Sequence, residues 1–269
     1  MSNPHLESAG EFTIGSVLGR AKTILFTQPR MFMGLAFIAF VPPTLVQLLG
    51  GSEFVRSLGK FLNFIFTMII QGAFACGVFQ IINGHAASFG ASLSRGMTRF
   101  FPIAGASILT GLGIVLGAML PLVPGVILDL PLLMIVGALL DAFLIPWLMC
   151  KWTLVIPACV VEHLGPIGSM RRSSELTKGY RLKILGLQSL AYLLFLVFAV
   201  VAILFYGFLN AVFLALFGPL AAKAVLLLML DVFLSLPMAF LCVTATTTYY
   251  DLRSVKEGIS VDSLANVFD

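Results

Sequence analysis

Six uninterrupted apolar stretches, each about as long as a bilayer is thick, decide what this chain can fold into. They run over Met31–Leu49, Phe61–Asn83, Phe101–Leu120, Pro131–Met149, Ile184–Gly207 and Ala222–Thr247. A hydrocarbon core of ~30 Å is crossed by about 20 helical residues, since each adds ~1.5 Å of rise. Within that layer no water reaches the backbone, so each stretch must satisfy its own N–H and C=O groups as a helix. Charged residues make up only 10% of the chain, against about a quarter in an ordinary soluble domain. The expected class is an all-α membrane protein, with residues 1–269 forming one integral membrane domain of six transmembrane helices.

The remaining charges are shared unevenly between the connections. Arg20, Lys22 and Arg30 precede the first stretch, and Arg95 and Arg99 lie between the second and third. Arg171, Arg172, Lys178, Arg181 and Lys183 separate the fourth from the fifth, and Arg253 and Lys256 follow the sixth. Only Arg56, Lys60 and Lys223 fall in the alternate connections, while Lys151 closes the fourth stretch. Basic residues of short loops stay in the cytoplasm. Both termini are therefore expected there, with Gly51–Lys60, Leu122–Leu130 and the stretch near Pro219 facing outward. The net charge of +4 calls for no nucleic acid. The basic residues border span ends, where each gains ~1 kcal/mol from anionic headgroups, and there is no basic soluble segment with aromatic platforms. Glu7 and Glu11 stand where a cleavable signal would carry positive charge, so the N-terminus is expected to be retained.

Three segments ahead of the odd-numbered spans look alike. They read Ile14-Gly15-Ser16-Val17-Leu18-Gly19-Arg20, Phe89-Gly90-Ala91-Ser92-Leu93-Ser94-Arg95 and Ile167-Gly168-Ser169-Met170-Arg171-Arg172-Ser173. Ile14, Val17, Leu18, Ala21 and Leu25 form one helical stripe; Phe89, Leu93, Met97 and Phe100 form another. Helices this short and polar suit the plane of the interface. The spacing predicts three pseudo-repeats over about 12–84, 88–162 and 165–248, followed by a cytoplasmic tail 249–269. Each unit would be an in-plane amphipathic helix followed by a helix pair.

Motifs of catalysis and metal binding are missing. His5, His85 and His163 show no HExxH or HxxxH spacing, and neither a GxxxxGKS loop nor a GxSxG elbow occurs. Cys76, Cys150, Cys159 and Cys242 form no CxxC pair and read as small buried hydrophobes. The chain is thus expected to be no enzyme, with no cofactor and no metal site. Gly105, Gly111, Gly113 and Gly117 in the third span read as a close-packing face. Prolines such as Pro121, Pro124, Pro146 and Pro237 interrupt or border spans, which fits a transporter and a static bundle alike.

Polar residues at mid-bilayer are a separate signal. Gln71, Asp141 and Asp231 each lie about ten residues, ~15 Å, into the even-numbered spans. An aspartate there costs ~2.5–3.5 kcal/mol by insertion scales, so both should face the bundle interior. They read either as hydrogen-bonded glue between helices or as part of a polar pathway.

The third unit carries a resemblance. Trp152, Pro157, Glu162 and Gly165-Pro166 lead into Arg172-Ser173-Ser174-Glu175-Leu176-Thr177-Lys178-Gly179, and Tyr249-Tyr250-Asp251-Leu252-Arg253 with Lys256-Glu257-Gly258 closes the chain. These segments resemble the membrane domain of glycerophosphoryl diester phosphodiesterase-like proteins and the related YciC-like bacterial inner-membrane proteins. The resemblance implies a six-span protein of the bacterial inner membrane linked to the envelope or its lipids. It does not imply phosphodiester chemistry, because these 269 residues are expected to form only the membrane domain and to leave no room for a phosphodiesterase domain. Arg171, Arg172, Glu175 and Lys178 either hold a lipid headgroup, as paired arginine hydrogen bonds to phosphate allow, or anchor the bend into the fifth span through Glu175 or Glu162. The expected function is a structural or lipid-related role in envelope maintenance, with membrane lipids, in particular anionic ones, as partners and homo-oligomers allowed. The alternatives are a small transporter or channel for a lipid, a hydrophobic solute or protons, and the membrane subunit of a larger machine.

Overall fold

Local chemistry sets where the helices start. A computed structural model describes residues 12–49 and 52–258. Glu7, Glu11, Gly51 and the far part of the predicted tail lie outside the described residues. Thr13 caps α1 (Ile14–Thr27) by accepting from Ser16 N at 3.3 Å. After α2 (Pro29–Leu49), Ser52 caps α3 (Glu53–Ile82), accepting from Val55 N at 3.4 Å. Ser88 opens α4 (Phe89–Thr98), and α5 (Phe100–Ile127) follows directly. Proline stands at the first position of both α6 (Pro131–Trp152) and α8 (Pro166–Thr177), where the missing N–H costs nothing. Between them lies the short α7 (Val155–Val161). The last helical stretch, Arg181–Glu257, breaks at Gly218, whose φ of 74° and ψ of 171° only glycine adopts readily. Its two arms are α9 (Arg181–Leu216) and α10 (Ala222–Glu257).

All regular structure among the described residues is helical. Six helical segments are long and apolar enough to cross a membrane: α2, α3, α5, α6 with α7, α9 and α10. This is a multi-pass α-helical membrane protein. The helices outrun the apolar stretches. α3 begins at Glu53, well before Phe61, with Arg56 bonded to Glu53 at 2.7 Å, and α5 continues through Pro121 and Pro124 to Ile127. Most of the predicted outward loops at 51–60 and 122–130 is therefore helix. The predicted tail likewise begins as helix: Tyr249 and Leu252 are fully buried in α10. Hydropathy marks only the part of a helix that sits in lipid; polar turns at either end continue the same backbone hydrogen bonds.

The main core lies among α1, α2, α3, α9 and α10 and holds Val17, Ile24, Phe32, Leu35, Phe74, Phe79 and Tyr249. A second cluster, with Met68, Ile103, Cys159 and Val160, joins α3, α5 and α7. By contrast, α5, α6 and α9 show long rows of exposed Leu, Ile, Val and Phe, a surface that a bilayer accommodates and water does not.

The stripe predicted on α1 turns inward: Val17, Ala21 and Leu25 are buried, and Ile14 and Leu18 pack against the core. On α4 the stripe divides: Leu93 packs against the main core and Phe100 against the second cluster, while the other two members are exposed. Phe89 and Met97 are 38% and 58% exposed, while Ser92 and Gly96 are buried. The cause is close approach to α3: a Cβ on Gly96 would stand 2.2 Å from the carbonyl oxygen of Ile69. Only Ser92 and Gly96 fit at that approach, so Phe89 and Met97 are left exposed while Leu93 packs beside it.

Candidate functional site

The basic segment around α8 was the strongest sequence candidate, and helical geometry divides its residues. Arg171 and Glu175, four apart, share a face and bond at 3.0 Å on the surface, where Arg171 is 83% exposed. Arg172 is turned a third of the way around the helix, toward protein. Its Nε donates to Glu162 at 2.7 Å and its Nη2 to Glu257. Burial by itself would lower the pKa of Arg172; hydrogen bonds and charge from Glu162 and Glu257 outweigh it and hold the guanidinium above its usual value. The group is charged at every accessible pH.

Glu162 is the hub. Besides Arg172 it accepts from the Tyr249 hydroxyl and lies 4.0 Å from Arg253 Nε. Arg253 also donates to Glu257 at 3.0 Å, four residues along α10. Arg172 is 21% exposed and Glu162 16%, so these charges are largely out of solvent. Lys256 completes the join, donating to the carbonyls of Glu175 at 2.6 Å and Lys178 at 2.7 Å, the C-terminal acceptors that α8 itself leaves unpaired. The side chain of Lys178 is exposed. A second ion pair, Arg20 to Asp251, ties α1 to α10, with Arg20 also over the Tyr250 ring at 5.7 Å. The segments 152–183 and 249–258, far apart in sequence, thus meet in one paired network.

Ser173, fully buried, has a role that its position in a motif did not reveal. The α6 and α7 helices are separated by a short break, which leaves backbone groups unpaired. Ser173 Oγ accepts from Leu154 N at 3.2 Å and donates to Lys151 O at 2.9 Å, satisfying one group on each side. Glu257 and Arg253 were legible as an i, i+4 pair. That Arg253 also lies beside Glu162, and that Glu257 shares Arg172 with it, was not, because nothing local links residue 162 to residues 253 and 257.

The mid-bilayer residues stand differently. Asp141 is 6% exposed, one turn beyond Gly137, which touches the Pro121 backbone of α5; its Oδ1 has no hydrogen-bond partner. Asp231 is half-buried on α10 beside Thr44 of α2, and its Oδ2 is unpaired. Gln71, half-buried on α3, has an unpaired Oε1. No hydrogen bond joins any two of these three side chains, which stand on three different helices. Among the described residues, no three His, Cys, Asp or Glu side chains converge as a metal site.

No family model, no curated protein and no solved structure matches this chain.

Proposed function

We propose that this chain is a non-catalytic protein of the bacterial inner membrane with a structural or lipid-related role in envelope maintenance. Three units, each a short helix followed by a long pair, would be joined at their cytoplasmic ends. The observation that carries this reading is the carboxylate of Glu162, which is engaged by Arg172, Tyr249 and Arg253 together. Charges consumed by one another are poor candidates for proton transfer or nucleophilic activation, but they fix how a short helix meets two spans. The resemblance to the membrane domain of phosphodiesterase-like and YciC-like proteins rests on these same residues and supports the same role. In this reading the basic residues face the cytoplasm, both termini included, and anionic headgroups surround them.

The test is the double variant R171A/R172A, purified in detergent. An anchor predicts a lower melting temperature at unchanged co-purified lipid, read by native mass spectrometry, which also gives subunit number. Loss of anionic lipid at unchanged melting temperature would instead make the motif a headgroup site. Orientation is tested with S52C and S254C in a cysteine-free background: an impermeant maleimide added to intact cells labels S52C and spares S254C.

A second reading, a transporter of a small solute or protons, is favoured by one observation only: the unpaired polar atoms of Gln71, Asp141 and Asp231 within the spans. Buried polar atoms without partners are costly, and water or a solute would relieve them. Proteoliposomes carrying D141N or D231N would then lose a pH-dye signal that the parent protein gives.

A further inference from the structure

Both tryptophans of the chain, Trp147 and Trp152, lie at one end of α6, one turn and a little apart. The ammonium of Lys151 stands over both rings, 5.3 Å from the centroid of Trp147 and 5.2 Å from that of Trp152. The guanidinium of Arg181, the first residue of α9, lies 4.6 Å from the Trp147 centroid. Two cations therefore share one indole. None of the ion pairs among the described residues includes either of them. Arg181 Nε is shielded from solvent and has no hydrogen-bond partner. Lys256 adds positive potential from the α8 side.

The two charges lie 5.3 and 4.6 Å from one ring centroid, so they stand no more than about 10 Å apart and repel, and a buried guanidinium nitrogen without an acceptor costs free energy. Cation–π contact offsets part of this, ~0.5–2 kcal/mol per pair, but it supplies no acceptor. The described residues supply no such acceptor. We propose that Lys151 and Arg181 hold the phosphate of an anionic phospholipid, with Trp147 and Trp152 at its headgroup level. This deepens the lipid reading above and rests on it, but at a site separate from the α8 motif, where Arg172 is already taken by carboxylates.

The adjoining surface argues for a lipid over a soluble anion. The site stands where two apolar spans end, the level at which tryptophan gathers in bilayers. Ile184 and Gln188 follow Arg181 on the same face of α9 and line a cleft that continues between α9 and α10. Gln188 is already paired, donating to Thr153 Oγ1 and accepting from Cys150 Sγ at 3.3 Å. What the cleft leaves open is chiefly apolar wall, including Leu187, Ala191 and Leu241. Its wall begins at Ile184, one turn beyond Arg181, and runs about 10 Å along α9 to Ala191, a path for the first part of an acyl chain.

Because no tryptophan lies elsewhere, intrinsic fluorescence reports this site in the unaltered protein. Phosphatidylglycerol with brominated acyl chains, titrated into detergent-solubilised protein, should quench tryptophan at about thirtyfold lower concentration than matched brominated phosphatidylethanolamine, from ~1 kcal/mol for each of the two cations. K151Q/R181Q should abolish the difference and K151R/R181K should keep it. Inorganic phosphate at the same concentration should leave quenching unchanged; competition by it would reassign the site to a soluble anion. If the parent protein discriminates and K151Q/R181Q does so equally well, the lipid reading stands and this site falls. If the parent protein treats the two lipids alike, both fall. The parent comparison requires no variant to fold.

Discussion

The basic end of the bundle and the middle of the spans both hold largely buried carboxylates, yet treat them in opposite ways. Glu162 is surrounded by donors from α8 and α10. Asp141 has an oxygen with no partner at all. The contrast has a physical origin. At the helix ends, long Arg, Lys and Tyr side chains from several elements converge and can be supplied cheaply. Within the spans, a donor must itself be carried into the apolar layer at a cost of its own. A polar group there is kept despite its expense, whereas at the rim it is kept because it binds elements together.

An identical chemical change in the two regions is the sharpest way to break this comparison. E162Q removes the charge that Arg172 and Arg253 face, and should lower unfolding stability in detergent by ~3 kcal/mol, as expected for breaking a buried pair. S173A comes next. Loss of the hydroxyl strands Leu154 N at the break between α6 and α7 and leaves Lys151 O with the longer bond from Thr177 Oγ1 at 3.4 Å, at ~1–2 kcal/mol, and hydrogen exchange should rise at residues 153–155 ahead of the rest. D141N and D231N, the same acid-to-amide swap as at Glu162, should each change stability by less than ~1 kcal/mol, because no charge partner is lost. Equal costs for E162Q and D141N in one denaturation series would erase the distinction. The smallest effect belongs to R171A, which removes only an exposed i, i+4 pair worth ~0.3–0.5 kcal/mol; a melting temperature clearly below that of the parent would mean that Arg171 has a partner beyond Glu175.

How much was legible in the sequence follows the range of each interaction. Pro131 stands at the start of its span and Phe101–Leu120 announces a span by its own composition, whereas Ser52 caps a helix within a stretch that hydropathy marks as a loop. The face of α4 was not legible. A helical wheel separates large apolar residues from small polar ones, but cannot say that a backbone will approach closely enough to admit only Ser92 and Gly96. In water all the large residues would have turned inward; beside lipid both faces can be apolar, so Leu93 packs on the core while Phe89 and Met97 stay exposed. The α8 motif was legible as basic and polar, and the two uses of its arginines remained open until their surroundings were known.

The sequence by itself determined the class and the number of spans, because twenty apolar residues have one stable arrangement in a bilayer whatever surrounds them. It also determined the local caps and the clustering of positive charge at alternate connections. Only the tertiary structure decided that Glu162 gathers Arg172, Tyr249 and Arg253, that Arg20 reaches Asp251, and that Trp147 carries two cations at once. Those contacts join residues tens to hundreds of positions apart, and their pairing depends on how helices cross, which is set by side-chain packing summed over the whole bundle and by no single segment of it.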